Sequence, residues 1–328
     1  GGCFSSRGIY RWSGWTLTSD VLMKHHEVIE TTLFSRLQTL FSQGESVTLY
    51  DLTNTNFEGR AAANGKAARG RSKEMRGDCL LVTRGVVFDG SGFIRRSQVF
   101  AGNAVECRTL EEMLLGLAAP PGALIILDRG IATEANIAWL RGRGYRYLVV
   151  SRERNRHFDA EQAVDCVGAS GETVRLVREW DEQGEEVRLF CHSEHREQKE
   201  RGRVERFCQR FEQGLTKRAA GLLTPRGEKR PERVHARIGA LKARCRGAGQ
   251  HYTVTVETDA VQKTVTALRW AQQAVPGSML SDPGVYCLRS NELDGDEERL
   301  WRTYMTLTDL EAVFRSLKEP VRNFVCEA

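Results

Sequence analysis

Ala123-Leu124-Ile125-Ile126-Leu127-Asp128 is an unbroken apolar run that closes on a carboxylate. A strand that is apolar at every position has both faces covered, the pattern of a parallel strand inside an α/β sheet. The Asp at its end is costly to enclose unless its charge is paired or holds a cation. Working outward, residues 134–143 read as a helix and 145–150 as a further strand. Upstream, Thr109 followed by Glu112 reads as a helix-opening cap, with Pro120-Pro121 as the stop. Before that, residues 79–89 and 93–100 read as two strands of a hairpin about Gly90-Ser91-Gly92. Residues 46–53, Ser46-Val47-Thr48-Leu49-Tyr50-Asp51-Leu52-Thr53, form another strand, which carries a second carboxylate, Asp51. A Gly-, Ala- and basic-rich stretch over 54–78 reads as a loop. Apolar residues at three- and four-residue steps from Val21 to Phe41 predict an amphipathic helix over 20–43. This order is that of an α/β domain with a mixed sheet.

After residue 150 the rhythm changes. Short hairpin strands near 173–180 and 187–191 precede a long basic helical stretch, an alternating run at 252–256, a strand at 285–289 and a strong helix over 297–318. From Arg196 to Arg246 there are sixteen Lys and Arg against six Glu, a local balance of +10, although the 328-residue chain carries only +5. Such a surface suits a polyanion, because each neutralised phosphate releases counterions. At 41% hydrophobic and 28% charged, with a mean hydropathy of −0.42, the composition excludes a membrane-embedded protein. The first residues lack a secretory signal, and nine scattered cysteines without a C-x-x-C pair fit a reducing, cytoplasmic setting. Cys191-His192-x-x-His195 lacks the second pair a zinc site needs and reads as a strand end with surface histidines; His25 and His26 also read as surface residues. Gly59 and Gly65-Lys66 lack P-loop spacing and its Ser/Thr.

A common explanation for Asp51 and Asp128 is a cation held between them. At about 100° per residue, Tyr304, Leu307, Glu311 and Lys318 share one strip about 60° wide on the last helix, beside its apolar face. Two strand carboxylates and a third from that helix suit a pair of Mg²⁺ ions, because hard cations take oxygen ligands. Two such ions activate an attacking oxygen and stabilise a leaving one. On the same strip, Lys318 suits a phosphate and Tyr304 a stacking or hydrogen-bonding role beside it.

Three runs then carry a resemblance: Tyr50-Asp51-Leu52-Thr53-Asn54-Thr55-Asn56-Phe57-Glu58-Gly59, Leu127-Asp128-Arg129-Gly130-Ile131, and Tyr304-x2-Leu307-x3-Glu311-x6-Lys318. Together they resemble the catalytic blocks of bacterial insertion-sequence DDE transposases, in the group whose third block reads Y-x2-R-x3-E-x6-K and the branch whose first block begins D-L-T. Phe100-Ala101-Gly102-Asn103 is similar to that branch as well; Leu307 departs from it, standing where the group has Arg. The resemblance implies an RNase H-like mixed sheet flanked by helices, with a β-containing and basic helical insertion before the last catalytic helix. Its parts would be an N-terminal helical segment (1–44), the core's first part (45–150), an inserted subdomain (151–281, basic over 196–246) and the core's last strand and helix (282–328).

It further implies Asp51, Asp128 and Glu311 as metal-holding catalytic residues, with Tyr304 and Lys318 beside them and Mg²⁺, replaceable by Mn²⁺, as cofactor. The implied partners are double-stranded DNA, as terminal inverted repeats and target, and a second copy on the DNA ends, in a nucleoid-associated cytoplasmic setting with no membrane. Contacts to DNA are expected from Arg201, Arg203, Arg206, Arg210, Lys217, Arg218, Arg230, Arg233 and Arg237. Family members extend further at both ends, so the chain reads as shortened. That leaves an inactive DNA-binding remnant and a plain RNase H-like nuclease as alternatives.

Overall fold

The computed structural model describes residues 20–40, 47–61, 63–72, 76–90, 92–117, 119–152, 156–245, 247–259, 261 and 263–307. They divide into two compact units. One takes residues 1–150, 290–294 and 300–328, the other 151–289 and 295–299.

In the first unit, β1 (Val47–Phe57), β2 (Leu80–Asp89) and β3 (Ile94–Ala101) form an antiparallel meander, and β4 (Leu124–Leu127) and β5 (Arg146–Val150) continue it in parallel. The order β3-β2-β1-β4-β5 makes a mixed sheet flanked by helices, compatible with an RNase H-like fold. β4 is buried at all four positions, as its apolar run requires. One face of the sheet presents Tyr50, Leu52, Ile125, Leu127, Tyr147 and Val149. They pack against Leu110, Met113 and Leu114 of α2 (Leu110–Leu115) and Ile137 and Leu140 of α3 (Glu134–Gly142). Thr133 caps α3 by accepting the Asn136 N–H.

Three expectations change in this unit. β1 does not stop at Thr53: Asn54, Thr55 and Asn56 continue the ladder to Phe57, paired with Leu80, and buried Asn54 bonds the Thr83 hydroxyl at 3.1 Å. Thr109 stands at the start of α2, but its hydroxyl makes no cap bond. The expected amphipathic helix is helical over 20–24 and, as α1, over His26–Leu40; residues 41–43 lie outside the described residues. Val21, Leu22, Val28 and Leu33 are exposed rather than packed. α1 instead reaches β3 through Glu30, whose carboxylate accepts from the Ser97 backbone N–H (3.0 Å) and hydroxyl (2.5 Å).

In the second unit, β6 (Val164–Val167), β7 (Thr173–Trp180) and β8 (Val187–Ser193) are joined by β11 (Val285–Ser290) in the order β11-β8-β7-β6. β8 runs straight into α4 (Glu194–Leu222), with Ser193 as its cap. α4, α5 (Pro231–Arg244) and the hairpin of β9 (Tyr252–Thr258) and β10 (Val265–Gln272) share a core around Phe211, Leu215, Ile238, Leu241, Tyr252 and Leu268. β6 and β10 were not anticipated. The helix expected over 297–318 is described to residue 307.

Buried Glu200 anchors the start of α4. It accepts from Arg156 (2.5 Å), Arg196 (3.1 Å) and the Gly284 backbone N–H (2.9 Å). Gly284 has φ +82°, and a Cβ there would lie 2.8 Å from the Ser193 carbonyl oxygen, so glycine is required at this approach. Burial pushes the Glu200 carboxyl up, but the two guanidinium groups and the amide outweigh it and leave it below the ordinary carboxylate range.

Two predictions follow from these packings. A Cβ at Gly85 of β2 would stand 2.9 Å from the Phe100 ring and 3.0 Å from the Tyr50 hydroxyl, so Gly85→Ala is expected to cost about 1–3 kcal/mol in denaturant unfolding. Glu200→Gln leaves buried guanidinium charge uncompensated and is expected to cost about 3 kcal/mol at pH 7. Because the folded carboxyl sits below its unfolded value, near 4.3, the Glu200 contribution is present above that value and is lost as pH falls through the folded one. The wild-type advantage over Glu200→Gln should therefore disappear in acid.

Candidate functional site

β1 and β4 run parallel with Tyr50 opposite Leu127. The residue after each member of that pair is an aspartate: Asp51 within β1, and Asp128 directly after the last residue of β4. Both are half-buried. Each carboxylate accepts the amide of the following residue, Leu52 N–H at 2.7 Å and Arg129 N–H at 2.6 Å, which fixes one oxygen of each. Asp128 lies at the carboxyl end of β4, the end at which parallel α/β sheets take ligands.

A third carboxylate reaches this end of the sheet. Glu106, in the 3₁₀ turn Glu106–Arg108, stands close enough that a Cβ at Gly130 would lie 2.8 Å from its Oε2 and 4.0 Å from Asp128 Oδ2. The turn is pinned from two sides. Thr109 donates its hydroxyl proton to the Glu106 carbonyl at 2.7 Å, so the Tyr50 hydroxyl donates to Thr109 Oγ1 at 2.6 Å. Burial, and then the nearby Asp51 and Glu106 charges, push the Tyr50 phenol above its ordinary value. From the other side, the Asn136 side chain donates to the carbonyls of Cys107 (2.9 Å) and Ile131 (2.7 Å), tying this turn to the loop that follows Asp128. Glu106 was missed in the sequence; the signal that could have found it is its place three residues past the Phe100-Ala101-Gly102-Asn103 block. The glycine there is structural: a Cβ at Gly102 would stand 1.9 Å from the Leu81 carbonyl oxygen.

Tyr304 is half-buried and Leu307 buried on the last described helical turns; Glu311 and Lys318 lie outside the described residues. Among the described residues no three His, Cys, Asp or Glu stand ready to hold a metal ion. Cys191 and His192 are both buried, so His192 is not the surface residue expected. Its Nε2 lies 2.8 Å from Glu197 and its Nδ1 3.1 Å from Arg175.

The basic segment forms α4, α5 and their connection. At about 100° per residue, Lys199, Arg203, Arg206, Arg210 and Lys217 fall in one strip about 60° wide on α4, and all five are exposed. The carboxylates of α4 lie outside that strip, and the buried side chains Cys208, Phe211 and Leu215 face away from it. Arg201, on the other side, pairs with Glu197 at 2.7 Å. Arg230 and Arg233 pair with Glu228 at 2.9 and 3.3 Å; these contacts, Arg230 first, hold the Glu228 carboxyl down to about 2. Arg218 is half-buried, and Arg237 is exposed on α5.

No protein-family model matches the chain, and no curated protein matches it. Among solved structures it resembles a piggyBac transposase synaptic complex with hairpin DNA at a TM-score of 0.27 and 11% identity, over 46% of this chain and 36% of that one. An overlap of that extent assigns neither fold nor activity.

Asn136→Ala would leave the Cys107 and Ile131 carbonyls without their shared donor. The Ile131 carbonyl keeps the Thr133 N–H at 2.8 Å, so a loss of about 1 kcal/mol is expected in thermal or denaturant unfolding, the cost of the hydrogen bond lost at Cys107. A variant as stable as wild type would show that the turn does not depend on this bond.

Proposed function

We propose that this chain is the catalytic region of a DDE-type DNA transposase, cleaving phosphodiesters at element ends and joining the freed 3′-hydroxyl to target DNA. The observation that carries the reading is that Asp51 and Asp128 each directly follow the last pair, Tyr50 and Leu127, of the parallel β1–β4 ladder. In support stand the resemblance of three ordered sequence blocks and a basic surface for a polyanion.

Asp51 and Asp128 fit an oxygen-liganded divalent cation: both are half-buried, each has one oxygen oriented by a backbone amide, and Glu106 adds negative charge nearby. In this reading Glu311 completes the set. Bound Mg²⁺ or Mn²⁺ would supply charge neutralisation at the scissile phosphate and activation of the attacking oxygen. The chain's own residues orient the reactants. The Tyr50–Thr109 bond and the Asn136 staple hold the turn and loop on either side of Asp128, Lys318 meets a phosphate, and Tyr304 lies beside it. The exposed strip Lys199, Arg203, Arg206, Arg210 and Lys217 holds duplex DNA through its backbone, a contact that positions without reading sequence.

The test uses the full chain, Mg²⁺ and labelled duplex bearing the terminal sequences that flank its coding region. Wild type should nick the element end and chelation should stop it. Asp51→Asn and Asp128→Asn should each lower the rate roughly a thousandfold, the effect of losing several kcal/mol of charge stabilisation. Both should also weaken Mn²⁺ binding measured by electron paramagnetic resonance. Equal cleavage by wild type and Asp128→Asn would remove these aspartates from the mechanism. Salt-sensitive binding without cleavage would mark a DNA-binding remnant instead, and cleavage indifferent to the terminal sequences a plain nuclease.

A further inference from the structure

The crossing of α4 and α5 packs like charges together. Gly214 of α4 faces Leu241 of α5 so closely that a Cβ on Gly214 would lie 2.7 Å from either Leu241 methyl carbon. Without a side chain at that point, the helices come together, and what flanks the contact is brought together too. Arg218 is one turn beyond Gly214 and folds back over it, its Nη1 donating to the Gly214 carbonyl at 2.7 Å. Arg237 and Arg244 flank Leu241 one turn to either side, within about 60° of it around α5.

The result is three guanidinium groups over one helix crossing. Burial, followed by the charges of Arg237 and Arg244, lowers the Arg218 pKa, and Arg218 Nε is buried without a hydrogen-bond partner. Neighbouring carboxylates are turned elsewhere. On α5, Glu232 lies about 140° around the helix from Arg237. Glu228 is held by Arg230 and Arg233, and Glu212 accepts the Tyr252 hydroxyl at 2.6 Å. Like charges gathered without a carboxylate are unfavourable in the free chain, and a doubly hydrogen-bonding oxyanion would relieve them.

We propose that Arg218, Arg237 and Arg244 form a seat for a single phosphate group, occupied by a backbone phosphodiester of duplex DNA lying along α4. The identity of the polymer rests on the function proposed above; the seat itself rests on the crossing. Arg218 supplies donors from the buried side, and the exposed Arg237 and Arg244 close over the phosphate from α5. The strip from Lys199 to Lys217 runs beside the same crossing, so a duplex held by that strip would place a phosphate at the seat.

The test measures duplex binding by fluorescence anisotropy across a salt series, and thermal unfolding of the free full-length chain with and without inorganic pyrophosphate. Arg237→Gln and Arg244→Gln should each weaken binding about tenfold and reduce the salt slope by about 0.9, the value for one lost phosphate contact. The double variant should lose less than the sum, because both hold the same phosphate. Each variant should melt higher than wild type in the free state, having shed a repulsion, and should lose the upward shift that pyrophosphate gives wild type. Arg269→Gln, which removes the same charge from a pair with Glu257 at 2.6 Å, should change neither affinity slope nor pyrophosphate response. Unaltered affinity and slope in Arg237→Gln and Arg244→Gln, with wild type binding normally, would overturn the seat. If wild type ignores duplex DNA but pyrophosphate stabilises it through Arg237 and Arg244, the seat stands as an oxyanion site and the DNA reading falls. Indifference to both ligands overturns the seat as well.

Discussion

The pairing of β1 on both of its edges is the constraint from which the first unit is built. β1 lies antiparallel to β2 from Thr48 to Phe57 and parallel to β4 from Val47 to Tyr50. Leu49, Tyr50, Leu52, Thr53 and Asn54 are buried around half-buried Asp51. A slip of one residue would reverse every one of these side chains. It would take Tyr50 from its hydroxyl partner and from the room Gly85 leaves for it, and would move Asp51 away from the end of β4, where Asp128 follows. Core packing and the acidic site thus share a single register.

How much was legible in the sequence depends on where the physical signal was local. The apolar run 123–128, the hairpin about Gly90 to Gly92 and the long basic helices were readable, because burial on both faces, turn chemistry and helical periodicity leave marks in consecutive residues. The continuation of β1 through Asn54-Thr55-Asn56 was not. Asparagines look like a turn until a partner such as Thr83, some thirty positions away, is known. β6 has four residues with one of them buried, too few to show alternation. Thr109 has the spacing of a cap, yet its hydroxyl serves Glu106 and Tyr50, and that competition is tertiary. At the site, Asp51 and Asp128 were legible as charges inside apolar strands; Glu106 came close only through the fold of an irregular turn.

Net charge conceals the division of labour in the basic segment. Several of its arginines are occupied in local pairs: Arg201 with Glu197, and Arg230 and Arg233 with Glu228. Exposed ion pairs of this kind contribute little to stability, but they fix where positive charge is spent. What remains is ordered by helical geometry into a strip on α4 and a cluster at the α5 crossing. Counting cations along the sequence could not separate these groups.

The parallel pairing of β1 with β4 also bears on how the chain folds. The meander of β1, β2 and β3 closes through neighbouring segments, whereas Tyr50 meets Leu127 across 77 positions of sequence. Contacts that close long loops form late, because the closure entropy must be met before pairing returns anything. A nascent or partly folded chain therefore carries Asp51 in a nearly finished hairpin sheet with no second carboxylate beside it. The acidic pair comes into being only when β4 joins β1, so the two carboxylates meet together with the completion of the apolar face they sit beside and not before it.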